Sequence, residues 1–292
     1  MRLARLLAML GAIISISASA EDDRIVALSW ESTEHLLKLG ISPLGVADAN
    51  DYRKWVVNPV LPDEVIDIGS RTEPNLELLV QLRPTTIVTS SMLGNIRGIL
   101  ERIAPVIEHD SFQRDADNYL LQRNSYLTLA RYVGREAQAL ERLALMDTRI
   151  NELRRQINDH FSGRPPRVAV IRFSSPTVVY INAQNSMIQR AMDLLNLSPA
   201  FAQPASDWGI TQTSVTSLGA IRDGVVLHIE PFAQQEIIFG TVLWNAMPFV
   251  RANRFGHLPA TWSYGGVFSV EYLAESIAEA LLRIPLNDAT TL

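Results

Sequence analysis

The 292-residue chain carries 26 Lys and Arg against 31 Asp and Glu, a formal net charge of −5, with 47% hydrophobic and 20% charged residues. That balance gives enough apolar material for two domains with their own cores and excludes an intrinsically disordered chain. The acidic charge, with no dense Lys/Arg run, argues against a nucleic-acid partner. The absence of Cys removes disulfides, thiolate metal sites and cysteine nucleophiles, and with them the lipid-bearing cysteine of a bacterial lipoprotein.

Residues 1–20 combine a basic start at Arg2 and Arg5, an apolar stretch over 6–16 and the small-residue ending Ala18-Ser19-Ala20. This is the pattern of a secretory signal peptide cleaved after Ala20. The apolar stretch is too short to span a bilayer, and no later run reaches that length. The expectation is a soluble mature protein exported to the periplasm.

A buried-type strand is predicted over 24–28, ended by Ser29-Trp30, then a helix over 31–39 stopped by Gly40, and a strand over 44–47. Residues 48–62, with two prolines, Asn50, Asp51 and Asn58, read as a loop carrying Tyr52 and Trp55. Next comes the stretch that organises the chain: a short strand closed by Gly69, then Ser70-Arg71-Thr72-Glu73-Pro74-Asn75, a helix ended by Arg83-Pro84, and a strand over 86–91. In that helix Leu76, Leu79 and Val80 share one face, which leaves Glu77 and Gln81 to water. Short and longer helices follow over 95–103 and 118–133.

From 135 to 161 neither Gly nor Pro interrupts, and Leu143, Met146, Ile150, Leu153 and Ile157 recur at three- and four-residue steps. At 1.5 Å per residue the helix spans roughly 40 Å, the width of a small domain. Gly163-Arg164-Pro165-Pro166 ends it, and a second α/β unit begins: strands over 168–171, 178–181 and 225–229, helices over 186–195, 215–221, 243–250 and 271–283. The organisation is therefore a lobe over 21–133, a connecting helix over 134–162 and a second lobe over 163–292. Strands alternating with helices imply parallel sheets.

Arg71 is out of place for helix stability, because a cation before a helix N-terminus opposes the macrodipole at a cost of about 0.3–1 kcal/mol. It either pairs with a nearby acid such as Glu73 or holds a ligand's oxygen atoms, since loops after the carboxyl ends of strands in open α/β sheets are where ligands bind. Arg172, just after the strand 168–171, is its counterpart in the second lobe. The five histidines, His35, His109, His160, His228 and His257, show no metal-ligand spacing and read as surface or satisfied core residues. No Gly-x-Ser-x-Gly elbow, phosphate loop or dinucleotide fingerprint occurs, so enzyme chemistry has no residue-level support. Trp30, Trp55, Trp208 and Trp262, with Tyr264, stand at strand ends and in loops, where an indole offers an apolar wall plus one donor; Trp244, on a short apolar helix, reads as core.

With these residues in view the chain resembles the periplasmic iron(III)-hydroxamate siderophore-binding proteins of bacterial ABC importers. The resemblance runs through Gly45-Val46-Ala47-Asp48, Leu61-Pro62-Asp63, the stretch from Arg71 to Leu79, Arg102-Ile103-Ala104-Pro105, the stretch from Leu243 to Ala252, and Trp262 with Tyr264-Gly265. It implies two α/β lobes joined by one long rigid helix, the class III periplasmic binding protein fold, with a shallow cleft that closes little. It places Arg71 on the family's ligand arginine, and Trp30, Trp55, Trp208, Trp262 and Tyr264 on or beside its aromatic lining. A guanidinium suits hydroxamate oxygens that keep partial negative charge on iron. The resemblance also implies no reaction, no resident cofactor and no iron bound directly by protein. The partners would be the importer's permease and ATPase, and the chain a monomer.

Two departures from the pattern stand out. The family's ligand tyrosine is missing near Leu93, and a tryptophan expected nearby is Thr89. Arg172 stands where an uncharged residue is usual, which suggests a ligand with extra negative charge, such as a citrate-based hydroxamate. For permease docking the resemblance implies one acid on each lobe. Glu77 matches the first; Gly219 displaces the second, with Asp223 and Glu230 as substitutes. The rival readings are the same fold around a catecholate siderophore, haem or a cobalamin, and an exported siderophore-ester hydrolase.

Overall fold

The computed structural model describes residues 24–110 and 112–285. The proposed signal segment lies outside the described residues. The first sheet is built from β1 (Ile25–Ala27), β2 (Gly45–Val46), β3 (Ile66–Asp67), β4 (Thr86–Ser90) and β5 (Val106–His109), all parallel, in the order β3-β2-β1-β4-β5. Its helices are α1 (Trp30–Lys38), α2 (Ala49–Trp55), α3 (Leu76–Leu82) and α4 (Arg97–Leu100), the last preceded by a 3-10 turn over Ser91–Ile96. Local chemistry sets their starts: Ser29 Oγ accepts from the Ser32 amide and Asn75 Oδ1 from the Leu78 amide, each satisfying an otherwise orphaned donor.

Two readings of this lobe need correction. Residues 49–55 form α2, not loop; Tyr52 at its centre is fully buried and anchors it. In α3 Val80 is 57% exposed, and Leu78 and Leu82 pack on the core beside Leu76 and Leu79, so the buried stripe is rotated about the helix axis away from Val80. Glu77 and Gln81 do face water. β5, unforeseen, follows Pro105 and adds an edge strand to β4.

Next come α5 (Asn118–Tyr132) and the 25-residue α6 (Glu136–His160), roughly 37 Å long at 1.5 Å per residue. Buried Ala139, Leu143, Met146, Ile150, Leu153 and Ile157 alternate four- and three-residue steps along one stripe of α6. The second sheet contains β6 (Val168–Phe173), β7 (Val178–Asn182), β8 (Ile210–Ser214), β9 (Val225–Ile229) and β10 (Phe255–Leu258), in the order β10-β9-β6-β7-β8. The expected all-parallel arrangement fails here. β7 runs antiparallel to both of its neighbours, β6 and β8; the four residues between β6 and β7 are too few for a crossover. Helices α7 (Met187–Leu194), α8 (Gln235–Phe239), α9 (Val242–Asn245), α10 (Pro248–Arg251) and α11 (Ser269–Leu282) complete the lobe; α9 and α10 replace the single helix predicted over 243–250. Pro248 ends one helix and begins the next.

The connecting helix does not work alone. A single apolar core runs from Ile25, Leu36 and Leu39 in the first lobe through Leu143 and Ile150 of α6 to Val168, Leu227 and Leu273 in the second. Two smaller clusters lie on the outer faces of the two sheets. Lobes that share a core cannot part without exposing it to water, which fixes their relative position.

Candidate binding cleft

Arg71 is held in place by two turns of the first lobe. The turns after β2 and β3 are tied together: Asp48, in the left-handed region at φ 52°, donates its amide to the Gly69 carbonyl at 2.7 Å, and Gly69 itself has φ +89°. Asp48 Oδ2 then accepts both the amide and Nε of Arg71, at 3.1 and 3.0 Å. The Arg71 guanidinium lies over Trp30, its Cζ 3.5 Å from the ring centroid, and 5.8 Å from that of Trp262. Trp30 is 2% exposed and donates Nε1 to the Ala47 carbonyl. It is therefore a platform beneath Arg71 rather than a wall that a ligand touches. Glu73, offered by the sequence as a partner for Arg71, is exposed and makes no ion pair among the described residues.

From Trp30 a line of rings crosses between the lobes. Trp30 meets Trp262 at 4.7 Å, Trp262 meets Tyr264 at 5.5 Å, and Tyr264 meets Phe112 at 6.0 Å. Trp262, Ser263 and Tyr264 also line a cavity of about 250 Å³ over β6, β7 and β8, together with Arg172, Tyr180 and Asn182. Strand alternation explains the arrangement: Val168 and Val170 face the shared core, so Arg172 shares their side of the sheet, one residue before the end of β6. Arg172 donates to the Thr261 carbonyl at 2.9 Å, and burial lowers its pKa from the ordinary value. Burial pushes the Tyr264 phenol up to about 12, so it remains a donor at neutral pH.

Beside the rings the lobes are pinned by polar contacts. Glu34 of α1, with no exposed surface, reaches the start of α11: its Oε1 accepts from the amides of Phe268 and Ser269 at 2.7 and 3.2 Å, and its Oε2 from Ser269 Oγ at 2.6 Å. His35 Nε2 accepts from the Val267 amide at 3.2 Å. The close approach needs Gly265 and Gly266, where a Cβ would lie 2.8 Å from a Glu34 carboxylate oxygen, and at Gly266 also 2.4 Å from His35 Nε2. Desolvation raises Glu34 to about 7 despite these bonds and drives His35 well below its usual range.

The structure thus brings Arg71, Trp30, Trp262, Tyr264 and Arg172 together; the other four candidates make no ring contact or hydrogen bond with them among the described residues. Trp55 ends α2, half-buried against the shared core, under the Lys54 ammonium at 4.8 Å. Trp208 is 55% exposed in the turn before β8 and makes no ring contact among the described residues. Thr89 is wholly buried within β4, its hydroxyl without a hydrogen-bond partner, and Leu93 is buried in the outer cluster of the first lobe. Neither offers a surface to a ligand: β4 is covered on both faces, and Leu93, in the 3-10 turn after it, is packed among the outer cluster. Asp48, Tyr180 and Phe112 were missed. Only Asp48 left a trace in the sequence, as an acid directly after a strand.

His35 and His109 are satisfied core histidines, the latter bonded to Ser29 and Ser32 through Nε2. His228 is not: it is wholly buried with both ring nitrogens unpartnered. The substitute docking acids are engaged, Asp223 with Arg254 and Glu230 with His257. Among the described residues no group of three or more His, Asp or Glu could hold a metal ion, and no helix is long and apolar enough to cross a membrane.

A family model described as a periplasmic binding protein matches residues 25–261. The chain is 35% identical over 268 residues to the iron(3+)-hydroxamate-binding protein FhuD of Escherichia coli (strain K12), covering 91% of this chain and 89% of that one. It is 30% identical over 144 residues to the Fe(3+)-citrate-binding protein YfmC of Bacillus subtilis (strain 168), 48% of this chain and 44% of that one. The structure of the siderophore-binding protein FhuD from Vibrio cholerae with Fe3+-Desferal bound matches it with a TM-score of 0.87 at 38% identity, over 90% of this chain and 99% of that one.

Proposed function

The chain belongs to the periplasmic binding protein family, and on that premise we propose that it captures a ferric siderophore of the hydroxamate type and delivers it to an ABC importer in the inner membrane. The observation that carries this reading is the state of Arg71. Its Nε is held by Asp48 and its Cζ sits over Trp30, while its two Nη groups have no partner among the described residues. A guanidinium anchored through Nε with both terminal nitrogens free suits several oxygens at once, which is what an iron(III) hydroxamate presents.

The iron arrives already chelated, the ligand leaves unchanged, and the protein needs no resident cofactor. The shared core and the Glu34 and His35 contacts support a cleft that closes little. Glu77, exposed in the first turn of α3, is our candidate for the docking acid of the first lobe. The protein works as a monomer in the periplasm.

Intrinsic tryptophan fluorescence across a panel of ferric siderophores tests the reading directly. A bound ferric complex quenches Trp262 and Trp30, and ferric trihydroxamates should do so at submicromolar concentration. Quenching by haem or cobalamin alone would overturn it.

A further inference from the structure

We propose that the cavity around Arg172 is a subsite for a carboxylate group carried on the ferric chelate, separate from the Arg71 pole that meets the iron-bound oxygens. The inference rests on the siderophore-binding reading and specifies its ligand class. Three observations carry it.

The first is that Arg172 is an uncompensated cation. It is half-buried, its one bond is to the Thr261 carbonyl, and no carboxylate pairs with it among the described residues. Arg71, by contrast, already holds Asp48. A desolvated charge without a counter-ion is costly, and a ligand anion that supplies one gains what the empty protein lacks.

The second is the polarity of the lining. Arg172 stands directly across from Tyr180 in the β6–β7 register, and the Tyr264 phenol faces the same space as a permanent donor. No Asp or Glu lines the cavity. Guanidinium and phenols aimed into an otherwise apolar hollow favour an anion and give a metal cation nothing to bind.

Size is the third. At about 250 Å³ the hollow falls below the roughly 300–1,000 Å³ of sites that enclose a whole ligand, so it suits one arm of a larger molecule. Trp262 belongs both to this lining and to the ring line over which Arg71 is held, which places the arm and the iron-bound oxygens on the same molecule.

Titration calorimetry with two probes tests the proposal: a ferric trihydroxamate without carboxylate, N-acetyl-desferrioxamine, and a ferric dihydroxamate built on citrate. The intact protein should bind the citrate complex at least tenfold more tightly, with a preference that shrinks in high salt. Arg172→Gln should abolish that preference, with an unchanged circular-dichroism spectrum showing that the variant folds; Arg172→Lys should keep part of it. If the intact protein shows no preference, or if Arg172→Gln weakens both complexes equally, the subsite does not exist although siderophore binding stands. If neither ferric complex binds, the functional reading itself fails.

Discussion

Asp48 Oδ2 holds Arg71 twice, by the backbone amide at 3.1 Å and by Nε at 3.0 Å, and so sets the plane in which the guanidinium meets the cleft. Arg71→Ala should weaken ferric hydroxamate binding about 10–100-fold, the range for losing hydrogen bonds to a charged group. Arg71→Lys keeps the charge but not the fork and should fall between. Asp48→Ala leaves every ligand-facing atom in place, so a loss of several-fold there, read by fluorescence titration, measures what orientation contributes. An unchanged affinity in Asp48→Ala would mean that stacking on Trp30 alone is sufficient.

The Glu34 contact predicts how stability depends on pH. Its carboxyl is raised from 4.5 to about 7 in the fold, so the folded state binds more protons than the unfolded one between those values. Stability associated with this group is full below about pH 4.5 and is lost as pH rises through 7, by about 3 kcal/mol at 1.4 kcal/mol per unit. Glu34→Gln mimics the protonated acid. The difference in unfolding free energy between Glu34→Gln and the parent should therefore grow in favour of the variant from pH 5 to pH 8. His35, lowered in the fold, acts oppositely, and taking the difference between the two proteins cancels it. A difference that does not vary with pH would refute the assignment.

The elements whose periodicity was strong were legible in the sequence: α6, α5, α11 and the unit of β3, α3 and β4 lie within a few residues of where the pattern puts them. β5, β8 and β10 were not, because Glu108, Gln212 and Gly256 interrupt apolar runs already only four or five residues long. The cleft was legible in the same graded way. Arg71 betrayed itself by opposing a helix dipole, and Trp262 by standing in a loop. Thr89 and Leu93 entered only through a resemblance, and residue type at an aligned position says nothing of burial. Their placement makes a test: Thr89→Val removes an orphaned buried hydroxyl at constant shape. It should leave ligand affinity within twofold while raising stability by about 1 kcal/mol. A marked loss of affinity would return Thr89 to the site.

Glu77 offers a separation of functions. It is exposed, lies on the first turn of α3 and makes no ion pair among the described residues. Glu77→Lys should bind ferric siderophore as the parent does, since α3 buries its opposite side. Uptake into cells that lack the chromosomal copy should nonetheless fall sharply, because an opposite charge on the permease is then met by a like one. Loss of ligand affinity would instead place the residue in the cleft's support.

His228 stores the largest mismatch between chemistry and surroundings in the second lobe. Phe173, Phe232, Phe239 and His257 surround it, with ring centroids 4.9, 6.3, 6.4 and 5.8 Å away, and neither nitrogen has a partner. Burial pushes its pKa down to about 3, with the His257 and Arg172 charges adding to the effect. A depressed folded value means that stability is intact above the unfolded pKa of 6.5 and drains away as pH falls toward 3, at up to about 1.4 kcal/mol per unit. His228→Phe completes the aromatic cluster and removes two unsatisfied polar atoms, so it should raise the melting temperature already at pH 7.5, where the ring is neutral. Its advantage should widen steadily between pH 6.5 and pH 4. Constant spacing between the two melting curves across that range would show that His228 finds a proton acceptor or water in solution, and that the buried ring is not the source of acid sensitivity.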